Sequence, residues 1–395
     1  MNKIKQGYKQ TDIGVIPEEW KVKPIGKLGL FSKGNGISRA ESNTGIIPCV
    51  RYGEIYTTHD NYIKKFYSFI SREVANRAKK LKVGDVLFTA SGETKEDIGK
   101  NVAFIDDIEA YAGGDIIILS PKNADSLFLG YLFNAPYVVT QKANKGQGDA
   151  VVHITKDSLR DIVIAIPESI SEQTAIATAL SDTDALIAAL DKKIAKKQQI
   201  KQGAMQQLLT GKKRLPGFSG EWVEKKFGEL LDYEQPTDYI VKSTDYLTQG
   251  IPVLTAGKSF ILGYTAETTG IFTNSPVIIF DDFTTATKFV DFKFKVKSSA
   301  MKILKLRESN NSIKLIYELM QLIDFPLIDH QRYWISEYSK IIVKIPATSE
   351  EQTVIAQILT DMDKEIARLE KERDKYKEIK AGMMQVLLTG KVRLV

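Results

Sequence analysis

The chain is expected to be an α+β protein: two mixed α/β domains joined by two long antiparallel coiled-coil helices with pseudo-twofold symmetry. Three observations predict this. Residues 171–215 and 350–394 are one segment written twice, identical at 25 of 45 positions at a constant offset of 179 with no gap. Each copy follows a stretch of over a hundred residues punctuated by short β-rich runs. The two stretches share a plan but differ in loops and length. The expected organisation is a first domain over 1–168, a helix over 169–215, a second domain over 216–347 and a second helix over 348–395.

The helices follow from periodicity. Ile176, Leu180, Thr183, Ile187, Leu190 and Ile194 step alternately by four and three, and Ile355, Leu359, Met362, Ile366, Leu369 and Arg373 repeat the pattern, which is a heptad seam. Polar starts at Ser171-Glu172 and Ser349-Glu350 follow Pro167 and Pro346, and Gly211 and Gly390 stand where a helix would stop. Residues 172–209 as one helix would run about 57 Å at about 1.5 Å per residue, against about 34 Å for a turn of B-DNA. The simplest way to bury two near-identical seams is against each other, antiparallel, with the attached domains at opposite ends. Helical linkers, or pairing with another chain, are the alternatives. Exposed residues shared by both copies (Asp182 and Asp361, Gln206 and Gln385, Lys201 and Lys380) would then offer like surfaces to two copies of a partner, or serve in packing and capping.

The domains are also related. Glu19-Trp20 followed by Ile25-Gly26-Lys27-Leu28 pairs with Glu221-Trp222 followed by Phe227-Gly228-Glu229-Leu230, at an offset of 202 that shrinks to 179 by Pro167 and Pro346. Strands are expected at 86–89, 102–105 and 116–119 in the first domain and at 277–280, 289–292 and 301–304 in the second. Helices are expected near 126–143 and 312–323, and closing strands at 162–167 and 341–346.

Composition narrows the function. The apolar fraction of 43% with 26% charged residues is that of a globular chain. No apolar run approaches the roughly 20 residues of a membrane span, and the N-terminus lacks an apolar signal core, so a cytoplasmic location is expected. One cysteine, Cys49, and three histidines, His59, His153 and His330, give no ligand cluster at metal spacing. The net charge of +6 permits a nucleic-acid partner without announcing it.

The opening Gly7-Tyr-Lys-Gln-Thr-Asp-Ile-Gly-Val-Ile-Pro-Glu-Glu-Trp20, the Ile-Pro then Glu-Gln-Thr boundaries at 166–174 and 345–353, the Leu-Leu-Thr-Gly-Lys ends at 208–212 and 387–391, and Arg214-Leu-Pro-Gly-Phe-Ser-Gly-Glu-Trp222 are similar, in order and twice over, to the specificity (S) subunit of a type I restriction-modification system. The resemblance covers the full length. It implies two target recognition domains, each reading one half of a split, asymmetric double-stranded DNA site, with the helices fixing the unread spacer and docking two modification subunits. It implies no chemistry in this chain: S-adenosylmethionine, ATP and Mg would be used by the modification and restriction subunits. Because the chain stops at Val395, where the first repeat continues into Pro216-Gly-Phe, the N-terminal segment up to Trp20 would fill that place, so start and end should lie close together.

Candidate readers are exposed side chains with forked donors or acceptors. In the first domain these are Lys145, Gln147 and His153 in the loop 144–153, with Thr94 and Lys95 as seconds. In the second they are Gln331, Arg332 and Tyr333, with Lys258 as a second. The residues expected to carry the helix seam are Ile176, Leu180, Ile187, Leu190, Ile355, Leu359, Ile366 and Leu369. Catalytic decoys are weaker. Asn134-Ala-Pro-Tyr137 nears an aminomethyltransferase motif but lies outside any alternating strand-helix series, and Asn134 is expected in a turn or helix end. Asp281 or Asp282 with Asp291 and Lys293 could mimic a metal nuclease, which keeps a stand-alone nuclease as an alternative, beside an adaptor whose heads bind peptides.

Overall fold

The computed structural model describes residues 4–148, 151–255, 259–326 and 332–394. It divides into two compact units, one of residues 1–189 with 372–395 and the other of 190–371. This partition cuts each long helix in two rather than setting the helices apart from the heads. The helices are continuous over Ile170–Leu208 and Ser349–Leu387. No helix among the described residues is long and apolar enough to cross a membrane.

In the first unit the apolar runs become buried strands. A five-stranded sheet has the order Gly29–Lys33, Ile116–Pro121, Val86–Thr89, Asn101–Ala103, Asn61–Tyr62, antiparallel except for its last pair. Val86–Thr89 is buried at every position, as expected of a central strand covered on both faces. A four-stranded sheet runs Ser68–Ile70, Ile47–Val50, Tyr111–Ala112, Lys79–Lys80. The helix expected near 126–143 is two, Ser126–Leu132 and Pro136–Lys145, because Pro136 opens the second at its first position. Between them Asn134 donates to Asn61 Oδ1 and to the carbonyls of Asn101 and Gly130, so it is a structural crosslink in a turn.

The second unit repeats the plan with fewer strands. An antiparallel sheet runs Leu231–Glu234, Met301–Leu306, Val277–Asp281, Thr287–Val290, beside a three-stranded sheet of Ile261–Thr265, Ile251–Leu254 and Lys295–Val296. The helix is Ile313–Met320. In both units the segment entering the long helix pairs with the tryptophan strand: Val163–Pro167 with Trp20–Pro24, and Ile342–Pro346 with Trp222–Lys226.

Within each unit the two helices run antiparallel, held by the same Lys-Asp and Arg-Glu pairs. In the first, Lys380 meets Asp184 at 2.7 Å, Thr183 meets Met383, and Arg393 makes a forked pair with Glu172 at 2.8 Å for both bonds. In the second, Lys201 meets Asp363 at 2.6 Å, Lys197 meets Glu365, and Arg214 forks onto Glu351 at 2.8 Å. Lys201 and Asp184 are the repeat equivalents of Lys380 and Asp363, and Arg214 and Glu172 those of Arg393 and Glu351, each 179 residues apart. Of the shared polar residues, Lys201 and Lys380 therefore match because they lock the seam.

Of the expected seam residues, Ile176, Leu180, Leu190, Ile355, Leu359, Ile366 and Leu369 are buried. Ile187 is only half-buried. The opening turns pack into the heads together with the end of the opposite repeat copy: Ile176 and Leu180 join the first domain's core with Trp20, Leu387 and Leu388, and Ile355 and Leu359 join the second's with Leu208, Leu209 and Phe227. The chain's start and end meet as expected, with Arg393 bonded to Glu19 at 2.5 Å and Tyr8 to the Lys391 carbonyl. Gly390 sits against Pro17 and Trp20, as Gly211 does against Trp222, both at positive φ where a helix ends.

Candidate nucleic-acid interface

In the first head two predicted loops are brought together. Ser91–Gly92 pairs antiparallel with Val152–His153, and Ser91 Oγ lies 3.0 Å from His153 Nδ1. Gln147 and His153 exchange both backbone hydrogen bonds, at 2.9 and 2.8 Å, leaving both side chains exposed. Lys145 is the last residue of its helix and is ion-paired with Asp161 at 3.7 Å. Thr94 shapes the loop: its hydroxyl donates to Asp97 Oδ2 at 2.8 Å and accepts from the Asp97 amide. Lys95 projects beside it, exposed.

Tyr56 sets the height of this corner. Its hydroxyl donates to the Ser91 carbonyl at 2.6 Å and accepts from Thr89, and burial pushes it up to about 12, so it stays a donor. A Cβ on Gly92 would stand 2.6 Å from that oxygen, which requires glycine there. Behind the loops, Lys142 is buried and donates to the Gly99 carbonyl at 2.7 Å, tying the helix before 144–148 to the end of the 93–99 loop.

Three adjoining hollows of about 480, 470 and 420 Å³ share Ser91, Asp115 and Tyr52 along their borders. Lys33, His153 and Lys156 line the first, Arg39 and Arg51 the second, and Tyr52, Glu93 and Asp97 the third. Arg51 is held at its base by Glu54, 3.9 Å from its Nε, and that buried nitrogen has no hydrogen-bond partner. Glu54 is itself fixed by the Arg51 amide and by Ser68. The groove thus presents guanidinium, ammonium, imidazole and phenol groups on a rigid sheet, the donor types that read base edges and phosphates. Lys33, Arg39, Arg51, Tyr52 and Lys156 carry no motif in the sequence, since five separate segments build the groove.

In the second head Arg332 is exposed at the entry to the short helix Tyr333–Ser336, while Tyr333 and Trp334 are buried at 1% and 2% exposure. Tyr333 packs on Phe325. A ring so enclosed cannot stack on a base, so Tyr333 moves from reader to core. The Tyr333 and Trp334 amides donate to the Asp282 carbonyl and carboxylate, and Lys302 completes the buried corner 3.5 Å from Asp282. Asp281 caps the turn at Phe283 and Thr284. Both carboxylates proposed for a nuclease are therefore structural, and Asp291 and Lys293 lie exposed beyond them. Gln331 and Lys258 lie outside the described residues.

Two different heads, each on one copy of a duplicated helix and one with a basic polar groove, define a two-headed recognition scaffold. The family described as the type I restriction modification DNA specificity domain matches residues 17–202. The chain is 48% identical over 161 residues to the specificity subunit of the type I restriction enzyme EcoR124I/EcoR124II from Escherichia coli, a stretch covering 38% of this chain and 39% of that one. It is 24% identical over 426 residues to the putative type I restriction enzyme MjaX specificity subunit of Methanocaldococcus jannaschii, covering 98% and 97% of the two. The S subunit of a type I restriction-modification system from M. genitalium has the same fold, with a TM-score of 0.65 at 15% identity over 98% of this chain and 97% of that one. The chain thus carries the type I restriction modification DNA specificity domain over 17–202 and is similar along its length to specificity subunits of type I restriction-modification systems.

Proposed function

We propose that each head reads one half of a split, asymmetric site in double-stranded DNA, that the paired helices set the unread spacer, and that they dock two modification subunits. Methyl transfer with S-adenosylmethionine, and ATP- and Mg-dependent cleavage with restriction subunits, then belong to the partners, and this chain is not itself catalytic. The observation that carries the reading is the contrast between duplicated and diverged parts: the Lys-Asp and Arg-Glu contacts recur residue for residue in both units, whereas the groove and the Arg332 corner do not. A scaffold keeps what holds position and varies what reads.

The test is methylation mapping in cells carrying the assembled complex. Arg51→Ala is expected to relax one position in one half-site, and Arg332→Ala one position in the other, each by about 1 to 3 kcal/mol if bidentate to guanine. Both changes falling in the same half-site would overturn the division of labour.

A further inference from the structure

The side chains around His153 and Arg332 differ, but the backbone frame that carries them recurs. The Ile154 amide donates to the Ala90 carbonyl at 2.9 Å, and the Tyr333 amide to the Asp282 carbonyl at 3.0 Å. The Ala90 amide donates in turn to the Asp115 carbonyl, and the Asp282 amide to that of Ala300. Further on, Val163–Pro167 and Ile342–Pro346 close onto the tryptophan strands in the same register. His153 and Arg332, 179 residues apart like the helix repeats, therefore hold one position in the two heads. By the same match Ser91 corresponds to Phe283, and Lys156 to Ile335.

What stands at these positions differs in kind. In the first head Ala90, Ile117 and Thr155 line a hollow whose rim is polar, with Ser91, His153 and Lys156. The second head has the larger Asp282, Lys302 and Trp334 in their place, all buried, and leaves Phe283 and Ile335 outside at 40% and 56% exposure, with Arg332 beside them. Neither apolar residue is loosely held. Asp281 Oδ1 accepts from the amides of Phe283 and Thr284 at 2.9 and 3.3 Å. Asp282 accepts from the amides of Tyr333 and Trp334, which open the short helix bearing Ile335. Two adjacent carboxylates thus fix the backbone under an exposed ring and an exposed branched chain.

An apolar pair at a reading position matches one feature of the major groove. Thymine presents a methyl group there, and phenylalanine is among the side chains that contact it. We propose that Phe283 and Ile335 read the methyl group of a thymine in the second half-site, next to the base pair met by Arg332. Ser91 and His153, at the corresponding place in the first head, offer polar groups instead. This rests on the reading of the heads as DNA-binding and deepens it by assigning an A·T pair to the second half-site. The correspondence with the rim of the first head's groove favours DNA over a partner protein as the occupant of the pair.

The experiment uses the purified complex of the full chain with the modification subunits of its own system, and duplexes carrying the mapped site. The half-site altered by Arg332→Ala is the one read by the second head. Each thymine in it is replaced singly by deoxyuridine, which lacks only the methyl group, and affinity is measured by competition. One thymine beside the Arg332-dependent base pair should respond, with binding weakened about fourfold, the worth of one buried methyl group. Phe283→Ala should bind the thymine and deoxyuridine duplexes equally, and Ile335→Ala should narrow the difference. Thymines of the other half-site should respond alike in wild type and both variants. Wild type insensitive to every replacement, a half-site with no thymine on either strand, or a difference that survives Phe283→Ala would overturn the proposal. If that variant keeps the discrimination but sheds a subunit in native mass spectrometry, the pair faces protein and the proposal fails. Arg332→Ala that alters neither half-site would instead overturn the reading of this corner as DNA-binding.

Discussion

Lys142 offers a sharp test of how the first head is held. Among the described residues it has no carboxylate partner, and burial, helped by the nearby charge of Lys100, pushes its ammonium down from 10.5 to about 7. The unfolded chain keeps that proton up to its ordinary range, so between about pH 7 and 10.5 unfolding takes up a proton and stability rises with pH. Below 7 both states are protonated and the full desolvation cost is present. Each tenfold loss of proton affinity is worth about 1.36 kcal/mol, so this group alone should raise stability by about 3 kcal/mol from pH 6 to 9.5. Lys142→Met removes the dependence while orphaning the Gly99 carbonyl, a loss of about 1 to 3 kcal/mol. The variant should therefore gain on the wild type at pH 6 and lose that advantage at pH 9.5. Urea titrations at the two pH values, read by pulsed hydrogen exchange over residues 136–145, measure this. A stability difference that is the same at both pH values would refute the assignment of a strained, partly neutral lysine. The same variant should weaken DNA binding, because the 93–99 loop and the 144–148 segment lose their common tether.

Asp184→Asn should cost about 3 to 5 kcal/mol in the first unit, since it leaves Lys380, only 13% exposed, without its closest carboxylate; chemical denaturation checks it, and a change under 1 kcal/mol would show that Asp60 and the Tyr131 ring, the other partners of Lys380, compensate. Four residues inserted after both Lys192 and Lys371, between the two sets of contacts, should lengthen the spacer by about 6 Å, close to two base pairs. Methylation mapping should show the longer spacer with both half-sites unchanged. Lys145→Ala should have little effect on sequence preference, and if the lysine meets phosphate it should lower the salt dependence of binding by about one counterion.

The parts of the fold legible in the sequence are those set by short-range pattern. The heptad steps, the Pro167 and Pro346 entries and the Gly211 and Gly390 stops locate helices that the structure bounds at Ile170–Leu208 and Ser349–Leu387. Strands such as Val86–Thr89 and Val277–Asp281 stand out because buried central strands are continuous apolar runs. What was not legible depends on long-range closure. Arg51 looks like any surface arginine until Glu54, Gly113 and Asp115 are folded around it. Tyr333 follows an arginine in a polar stretch, and only the Asp282 corner, 51 positions earlier, turns it inward. Lys201 and Lys380 read as exposed repeats because the heptad pattern scores apolar residues, not a charge that finds its partner on the opposite helix.

The duplicated contacts raise a question of partner choice that the seam cannot answer. Arg214 grips Glu351 and Arg393 grips Glu172, but the two arginines and the two glutamates are repeat equivalents, so Arg214 could grip Glu172 of another chain equally well. The same holds for Lys201 with Asp184, and for Gly211 against Trp20 in place of Gly390. Contact chemistry is thus indifferent between pairing within one chain and pairing between two. The tether decides, because covalent linkage presents the second copy at an effective concentration on the order of millimolar. Severing it should expose the indifference. Residues 1–215, which keep one head and one helix, are expected to associate as a symmetric pair through Arg214–Glu172 and Lys201–Asp184, with a dimer mass by light scattering that Lys201→Ala combined with Arg214→Ala returns to monomer. A fragment monomeric from the outset would mean that residues differing between the copies, such as Lys197 facing Glu365, choose the partner.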